Sequence, residues 1–303
     1  MNRPLAGDPR MASPLPQPVD RAFIPRRRDE VRSPERLQAH YRVERELADR
    51  VRRAPGWEER KAILATMYDD LFERVPDHPR LVSKGMDTQA REDQVRWNMA
   101  QLKPYLEPGA TVLEVGAGDC ALARELATNA RQVYAVDISN QSQGVLPANV
   151  AVIITDGRSI DVPAGSVDLA FSDQLMEHLH PDDAVEQLRN IHRALKPGGV
   201  YMCVTPNRVY GPSDISAFFD DEPRGFHLKE YTLPEIREVF RRAGFSRHHV
   251  YVGARGCFLR CPAWLVGGVE RVISALPRAL RHRVADLRVV RGLLGLRVAA
   301  VKD

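Results

Sequence analysis

The spacing of apolar residues changes character near residue 110. Upstream it is helical. Ser33-Pro34-Glu35 reads as a helix start, with Ser33 as N-cap and Pro34 in the first helical position, and a very polar helix runs on through Arg53. From about Trp57 to Arg74, Ile63, Leu64, Met67, Leu71 and Phe72 fall on one helical face and predict a core-facing stripe. A third helix is predicted over Thr88–Leu102. From Thr111 short apolar runs alternate with amphipathic stretches, which predicts a mostly parallel sheet with helices on both faces, an α/β chain. The predicted strands are Thr111–Val115, Gln132–Val136, Val150–Thr155, Val167–Ser172 and Gly199–Thr205. The predicted helices are Ala121–Ala127, Asp182–Leu195 and Leu233–Ala243. The second of these is expected to close on a left-handed glycine in Lys196-Pro197-Gly198-Gly199. Two last runs, Arg247–Gly253 and Leu296–Val301, are expected to pair at the sheet edge. The segment between them, 257–292, reads as two amphipathic helices inserted before the final strand.

Residues 1–33 are rich in Pro and Arg without a sustained apolar period and are expected to form a disordered arm, followed by a helical extension over 34–104 and one domain over 105–303. A chain of 303 residues with 44% hydrophobic and 28% charged residues can bury a sizeable core, and its net charge of +4 makes no case for nucleic acid. No apolar run is long enough to span a bilayer and no secretory h-region is present, so a cytoplasmic protein is expected. Cys257 and Cys261 have no second Cys/His pair near them, and the four cysteines read as free thiols.

The chemistry begins where the first strand ends, at Glu114-Val115-Gly116-Ala117-Gly118-Asp119. Glycines between a strand and a helix let the chain turn sharply and let a ligand approach without a Cβ in the way. Asp137 ends the second strand about twenty positions later, followed by Ile138, and its carboxylate can accept both hydroxyls of a ribose. Asp156, beside Gly157, follows the third strand and can accept an adenine amine. Ser172 ends the fourth. Gly116-x-Gly118-x-x-Ala121 also nearly fits a dinucleotide fingerprint, so an NAD(P)- or FAD-dependent oxidoreductase is the competing enzyme class. A non-catalytic cofactor-binding module of the same fold is the third reading.

Residues 105–255 resemble the class I methyltransferase domain of the UbiE/UbiG-like type 11 kind. The resemblance rests on Glu114, Gly116, Gly118, Asp137 and Asp156 with Gly157. It rests also on Val162-Pro163-Ala164-Gly165-Ser166-Val167-Asp168 before the fourth strand and His192-Arg193-Ala194-Leu195-Lys196-Pro197-Gly198-Gly199 before the fifth. It implies a Rossmann-like, seven-stranded fold and S-adenosyl-L-methionine as cofactor, held by Glu114, Gly116, Ala117, Gly118, Asp137, Ile138, Asp156, Gly157 and Ser172. The Asn/Asp-Pro-Pro-aromatic turn of DNA amino methyltransferases is absent after the fourth strand, so DNA is not the expected acceptor.

Glu177-His178 resembles the Glu-His pair of ubiquinone-pathway O-methyltransferases, whose relatives hold a divalent metal nearby. Here Gln174 replaces a further carboxylate, and no metal is expected. Gly225-Phe226-His227-Leu228-Lys229-Glu230-Tyr231 resembles a segment that lies over the active site in bacterial type 11 enzymes. His227 is the expected general base, with His178 as the second candidate. Asn207 and Arg208 either orient the acceptor or cap a loop. From Arg255 to Asp303 ten Lys/Arg face three acids, with Leu265, Val269, Val272, Leu276 and Leu280 on one helical face. A lid, a surface resting on anionic lipid, and an ordinary packed helix pair all fit that pattern. The expected reaction is O-methylation of a small-molecule, sugar or lipid-linked acceptor.

Overall fold

The computed structural model describes residues 30, 32–79, 88–142, 144–254, 256–285 and 287–303. The arm expected over 1–33 lies almost wholly outside the described residues. Three helices come first: α1 (Pro34–Arg53), capped by the Ser33 side chain on the Arg36 amide, α2 (Trp57–Arg74) and α3 (Thr88–Leu102). The strands follow as β1 (Thr111–Val115), β2 (Gln132–Asp137), β3 (Val150–Ile154), β4 (Val167–Asp173) and β5 (Leu195–Thr205). Helix α4 (Ala121–Leu126) joins β1 to β2, and α5 (Pro181–Ala194) joins β4 to β5. Then come α6 (Leu233–Arg242), β6 (Arg247–Ala254), β7 (Cys257–Cys261), α7 (Ala263–Ser274), α8 (Arg278–Ala285), α9 (Arg288–Leu294) and β8 (Leu296–Val301).

Among the described residues one sheet of eight strands runs in the order β3-β2-β1-β4-β5-β8-β6-β7. Strands β1 to β5 are mutually parallel where they pair, and β8 lies antiparallel between β5 and β6. The strand order reverses between β1 and β4, and it is outside the carboxyl ends of the strands at such a switch point that open α/β sheets bind ligands. β7 was not expected. Cys257–Cys261 pairs antiparallel with β6 as a hairpin, because its partner edge is supplied by the chain immediately before it, which a search for helical spacing over 257–292 does not register. The rest of that stretch is three short helices rather than two. The turn before β5 also differs. Helix α5 stops at Ala194 with Leu195 already extended. Gly198, φ +78°, therefore sits inside β5, where the pairing with β4 shifts register, and caps no helix.

Alternation along the strands feeds two cores. One face packs Leu113, Ala170 and Tyr201 against α5 and α6 through Leu188, Ile191, Ile236 and Phe240. The other packs Val112, Phe171 and Met202 against α3 and α4 through Leu102, Leu122 and Leu126. A separate cluster of α1 and α2 residues, including Leu47, Met67 and Leu71, closes over Phe226. The buried Arg60 guanidinium meets both Asp183 oxygens at 2.6 and 2.7 Å and fastens α2 to α5.

Candidate active site

The carboxyl end of β1 is tied to its neighbour before any ligand is considered. The amides of Gly116 and Ala117 both donate to the Val136 carbonyl, at 2.8 and 3.1 Å. Gly116 and Gly118 take φ of +81° and +51°, the left-handed region where glycine carries no Cβ penalty. A Cβ on Gly118 would meet nothing within 4 Å, so the loop faces open space. Two of the loop's amides are already committed to carboxylates. Gly118 donates to Asp137 Oδ2 and Ala121 to Asp119 Oδ1, each at 2.9 Å. In a dinucleotide site such amides are left for the pyrophosphate.

Glu114 lies under this loop, 7% exposed, with Oε2 lacking a hydrogen-bond partner. Burial, with the neighbouring charges of Asp119, Asp137 and Asp173, pushes its carboxyl up to about 8, against one opposing hydrogen bond from the Ala123 amide. Asp173, at the end of β4, is also pushed up by burial although Gln94 and Asn98 of α3 both donate to its Oδ2. Arg91 of the same helix pairs with Asp119. Acidic groups so concentrated around a glycine loop suit a cationic ligand and repel a pyrophosphate. A sulfonium ligand meets that requirement, and the Glu114 Oε2 atom beneath the loop has no hydrogen-bond partner of its own.

Asp137 keeps acceptor capacity, since Oδ2 takes the Gly118 amide and Oδ1 the Ser139 amide at 3.2 Å, and each oxygen has a further lone pair. Ile138 beside it is 43% exposed. Gly157 takes φ +87°, and a Cβ there would stand a tight 3.1 Å from Ile138 Cγ2. These two residues make an apolar wall next to Asp156. The Asp156 carboxylate is largely used by its own turn: Oδ1 accepts from the Arg158 and Ser159 amides and Oδ2 from the Ser159 hydroxyl. Lys61 of α2 stands 3.8 Å from Oδ2. Ser172 does not sit on this edge. It is fully buried, with its hydroxyl 2.7 Å from the Tyr201 hydroxyl, because alternation along β4 turns it toward the core of α5 and α6. Asp173, one residue on, is the β4 side chain that reaches the loop.

The second half of the site lies beyond β4 and β5. A 3-10 turn, Met176–His178, follows β4. The structure brings His227 against it, with the His178 and His227 rings 4.8 Å apart and nearly perpendicular. Each imidazole is oriented through Nδ1. His178 bonds the Phe226 carbonyl at 3.1 Å and His227 bonds Glu230 Oε1 at 2.6 Å. In the tautomer that donates through Nδ1 the remaining lone pair is on Nε2. Glu177 is fully buried, accepts from the Thr205 hydroxyl through Oε2, and has no partner on Oε1. Burial pushes its carboxyl up to about 7, against the pull of His227. For His227 burial favours the neutral ring, but the Glu230 hydrogen bond and the charges of Asp214, Glu230 and Glu177 together outweigh it, and the net shift is upward. Glu177, His178 and His227 offer ligand atoms within 4.8 Å of one another.

A cavity of about 160 Å³ opens beside these rings, lined among others by His40, Glu44, His78, His178, Asp214 and His227. The helix that reads as very polar therefore contributes to the site. His40 and Glu44, one helical turn apart, are buried and bonded at 2.7 Å. The Arg32 guanidinium bonds His40 Nδ1 at 2.9 Å, so that nitrogen accepts and Nε2 donates to Glu44. Burial works to raise the Glu44 carboxyl, and hydrogen bonds from His40 and His78 overcome it and hold it well below the ordinary range. Glu44 also accepts the Phe226 amide, Asp214 accepts the His227 amide, and Arg52 donates to the carbonyls of Arg224, Gly225 and His227. The loop carrying His227 is thus clamped by α1. The i, i+4 pair of His40 and Glu44 was the one sign of this in the sequence. Glu230, three residues past His227, carried no periodic or capping signal, and Asp214 had none because its partner comes from fold closure. Asn207 is fully buried and bonds Glu270, the Leu294 carbonyl and the Val209 amide, and Arg208 pairs with Glu235. Both fasten the loop after β5.

Comparison with known proteins gives the family. Residues 86–250, more than half of the chain, match the family model described as a methyltransferase domain. A probable S-adenosylmethionine-dependent methyltransferase of Mycolicibacterium smegmatis is 32% identical over 141 residues, 46% of this chain and 52% of that one. Phosphoethanolamine N-methyltransferase 2 of Caenorhabditis elegans is 26% identical over 148 residues, 46% of this chain and 33% of that one. The chain spans about half the length, or less, of these curated relatives. An S-adenosylmethionine-dependent methyltransferase structure from Mesorhizobium loti superposes with a TM-score of 0.48 at 19% identity, over 70% of this chain and 99% of that one. With its sheet order and the matched span from α3 to β6, the chain belongs to the class I methyltransferase-domain family.

Proposed function

We propose that the protein transfers a methyl group from S-adenosyl-L-methionine to a hydroxyl of a small-molecule or lipid-linked acceptor. The observation that carries the cofactor is electrostatic: Glu114, Asp119, Asp137 and Asp173 surround a glycine loop whose Gly118 and Ala121 amides are already bound to acids. That arrangement favours a sulfonium and disfavours the anionic dinucleotides of the competing oxidoreductase reading. The bound cofactor supplies an electrophilic methyl carbon. Glu114 would hold its ammonium, Asp137 its ribose, and Ile138 with Asp156 and Gly157 its adenine.

His227 Nε2 would take the acceptor's proton, with Glu230 fixing the ring and supporting the charge it gains. Leu71 of α2 and Phe226 of the loop after β5 both line the cavity. The cavity of about 160 Å³ would receive the reacting end of the acceptor. Relatives named as N-methyltransferases act on amines, and a base at His227 would serve an ammonium acceptor as well. The choice of oxygen rests on the resemblance of Glu177-His178 to O-methyltransferases.

A second reading of the same residues is favoured by the unpartnered Glu177 Oε1 and by the two rings anchored through Nδ1, as metal-binding histidines are. Glu177, His178 and His227 would then hold a divalent cation, with His227 in the place left by Gln174. Calorimetric titration with S-adenosylhomocysteine, with NADH as control, tests the cofactor. Micromolar binding of the first alone is expected, and binding of NADH alone would overturn the reading. Metal content measured on the protein before and after chelation separates the base from the cation, since stoichiometric metal lost in a Glu177→Gln variant would replace the base.

A further inference from the structure

The segment 257–292 carries seven arginines against two acids, a surplus of +5 in a chain whose total is +4. Among the described residues, seven of the ten strongly exposed large apolar side chains lie in it. On α7 the inward stripe is Val266, Glu270 and Ile273. The outward stripe is apolar too: Trp264 is 77% exposed, Leu265 41% and Val272 66%. Gly268 and Ala275 continue the outward stripe and are exposed as well. An outward apolar stripe opposite the buried one is normally covered by another surface. The one acid of α7, Glu270, points inward, where Asn207 and the Leu233 amide use it. The exposed charge of that helix is Arg271, and Arg260, Arg283 and Arg288 are exposed on the neighbouring elements. Leu287 and Val289, 57% and 82% exposed, flank Arg288 at the start of α9.

We propose that this face docks the protein in the interface of an anionic bilayer, with α7 lying in the membrane plane. Trp264, Leu265 and Val272 enter the acyl boundary, and the arginines meet lipid phosphates. Charge complementarity selects this occupant: a tryptophan-bearing apolar stripe flanked, among the described residues, by the exposed Arg260, Arg271, Arg283 and Arg288 fits a surface that is apolar below and anionic above. With 12 residues α7 is too short to cross a bilayer, and no described helix is long and apolar enough to do so. The docked face is rigidly coupled to the loop after β5. Asn207 holds Glu270 of α7 and the Leu294 carbonyl at the end of α9, and His282 of α8 bonds the Tyr210 carbonyl at 3.0 Å. Membrane docking would therefore set the orientation of the acceptor side of the sheet.

Flotation of the full chain with phosphatidylcholine vesicles containing about one-third phosphatidylglycerol tests the proposal, with pure phosphatidylcholine as the comparison. Co-flotation with the anionic vesicles alone, weakened by added salt, is expected. A Trp264→Asp/Val272→Asp variant should float at least roughly tenfold less, and an Arg271→Glu/Arg288→Glu variant likewise. All four side chains are exposed, so circular dichroism and affinity for S-adenosylhomocysteine should stay unchanged. Absence of flotation with either vesicle overturns the proposal, as does wild-type flotation by both variants. Self-association in sedimentation velocity that the Asp variant abolishes, without flotation, would assign the face to a second copy instead. None of these readouts depends on methyl transfer, so this inference and the proposed activity fail separately.

Discussion

Replacing Glu114 by Gln should make the ligand-free protein more stable at neutral and alkaline pH while weakening its grip on the cofactor. The carboxyl is 7% exposed, one oxygen is unpartnered, and burial beside Asp119, Asp137 and Asp173 raises it from 4.5 to about 8. A carboxyl raised by folding contributes stability that is complete below the unfolded value and is lost as pH rises through the folded one. Here the window runs from 4.5 to about 8. At about 1.4 kcal/mol per unit, the loss is roughly 3 kcal/mol at neutral pH and at most about 5 kcal/mol above the upper limit. Gln keeps the shape and has nothing to ionise. Denaturant unfolding of both proteins without ligand should therefore give similar stabilities near the acid end of the window and a gap that widens toward its alkaline end. Binding should move the other way, since a charge-assisted contact worth about 1.5–3 kcal/mol would be lost, a weakening of roughly tenfold to a hundredfold. Wild-type binding near neutrality should also release protons, seen as a dependence of the heat on the buffer's ionisation enthalpy. Parallel stability profiles for the two proteins would refute the reasoning at its first step.

Other perturbations probe the remaining parts. Asp137→Ala should lower affinity for S-adenosylhomocysteine roughly tenfold or more in calorimetry while melting changes little; unchanged affinity would sink the ribose assignment. Because His227 is shifted upward, turnover should fall as pH drops through a limb above 6.5, where the ring becomes protonated. Glu230→Gln should move that limb to lower pH and reduce turnover, and superimposable pH–rate profiles would remove the dyad. Arg60→Leu strands the buried Asp183 carboxylate and should cost about 3–5 kcal/mol in chemical denaturation, much of it recovered in Arg60→Leu/Asp183→Leu. A loss below about 1 kcal/mol would show that water reaches the pair.

By itself the sequence determined most of the elements and their order, though not β7 or the third short helix after it. Helices Pro34–Arg53, Trp57–Arg74 and Thr88–Leu102 and strands Thr111–Val115 and Leu296–Val301 stand where apolar spacing and capping residues put them, because those signals are local. The acids Glu114, Asp137 and Asp156 were legible for the same reason, since strand ends in a parallel sheet share one edge. What only the tertiary structure decided is which distant side chains meet. Ser172 looked like a site residue until strand alternation turned it into the core. His178 and His227, 49 positions apart, met ring against ring, and His40 and Glu44 left a polar-looking helix to line the cavity. Strand β7 exists because β6 precedes it with an open edge. The apolar spacing of α7 was plain, but which of its faces the fold would bury was not. Periodicity reports that a face is apolar; only closure of the chain decides whether another part of the protein covers it.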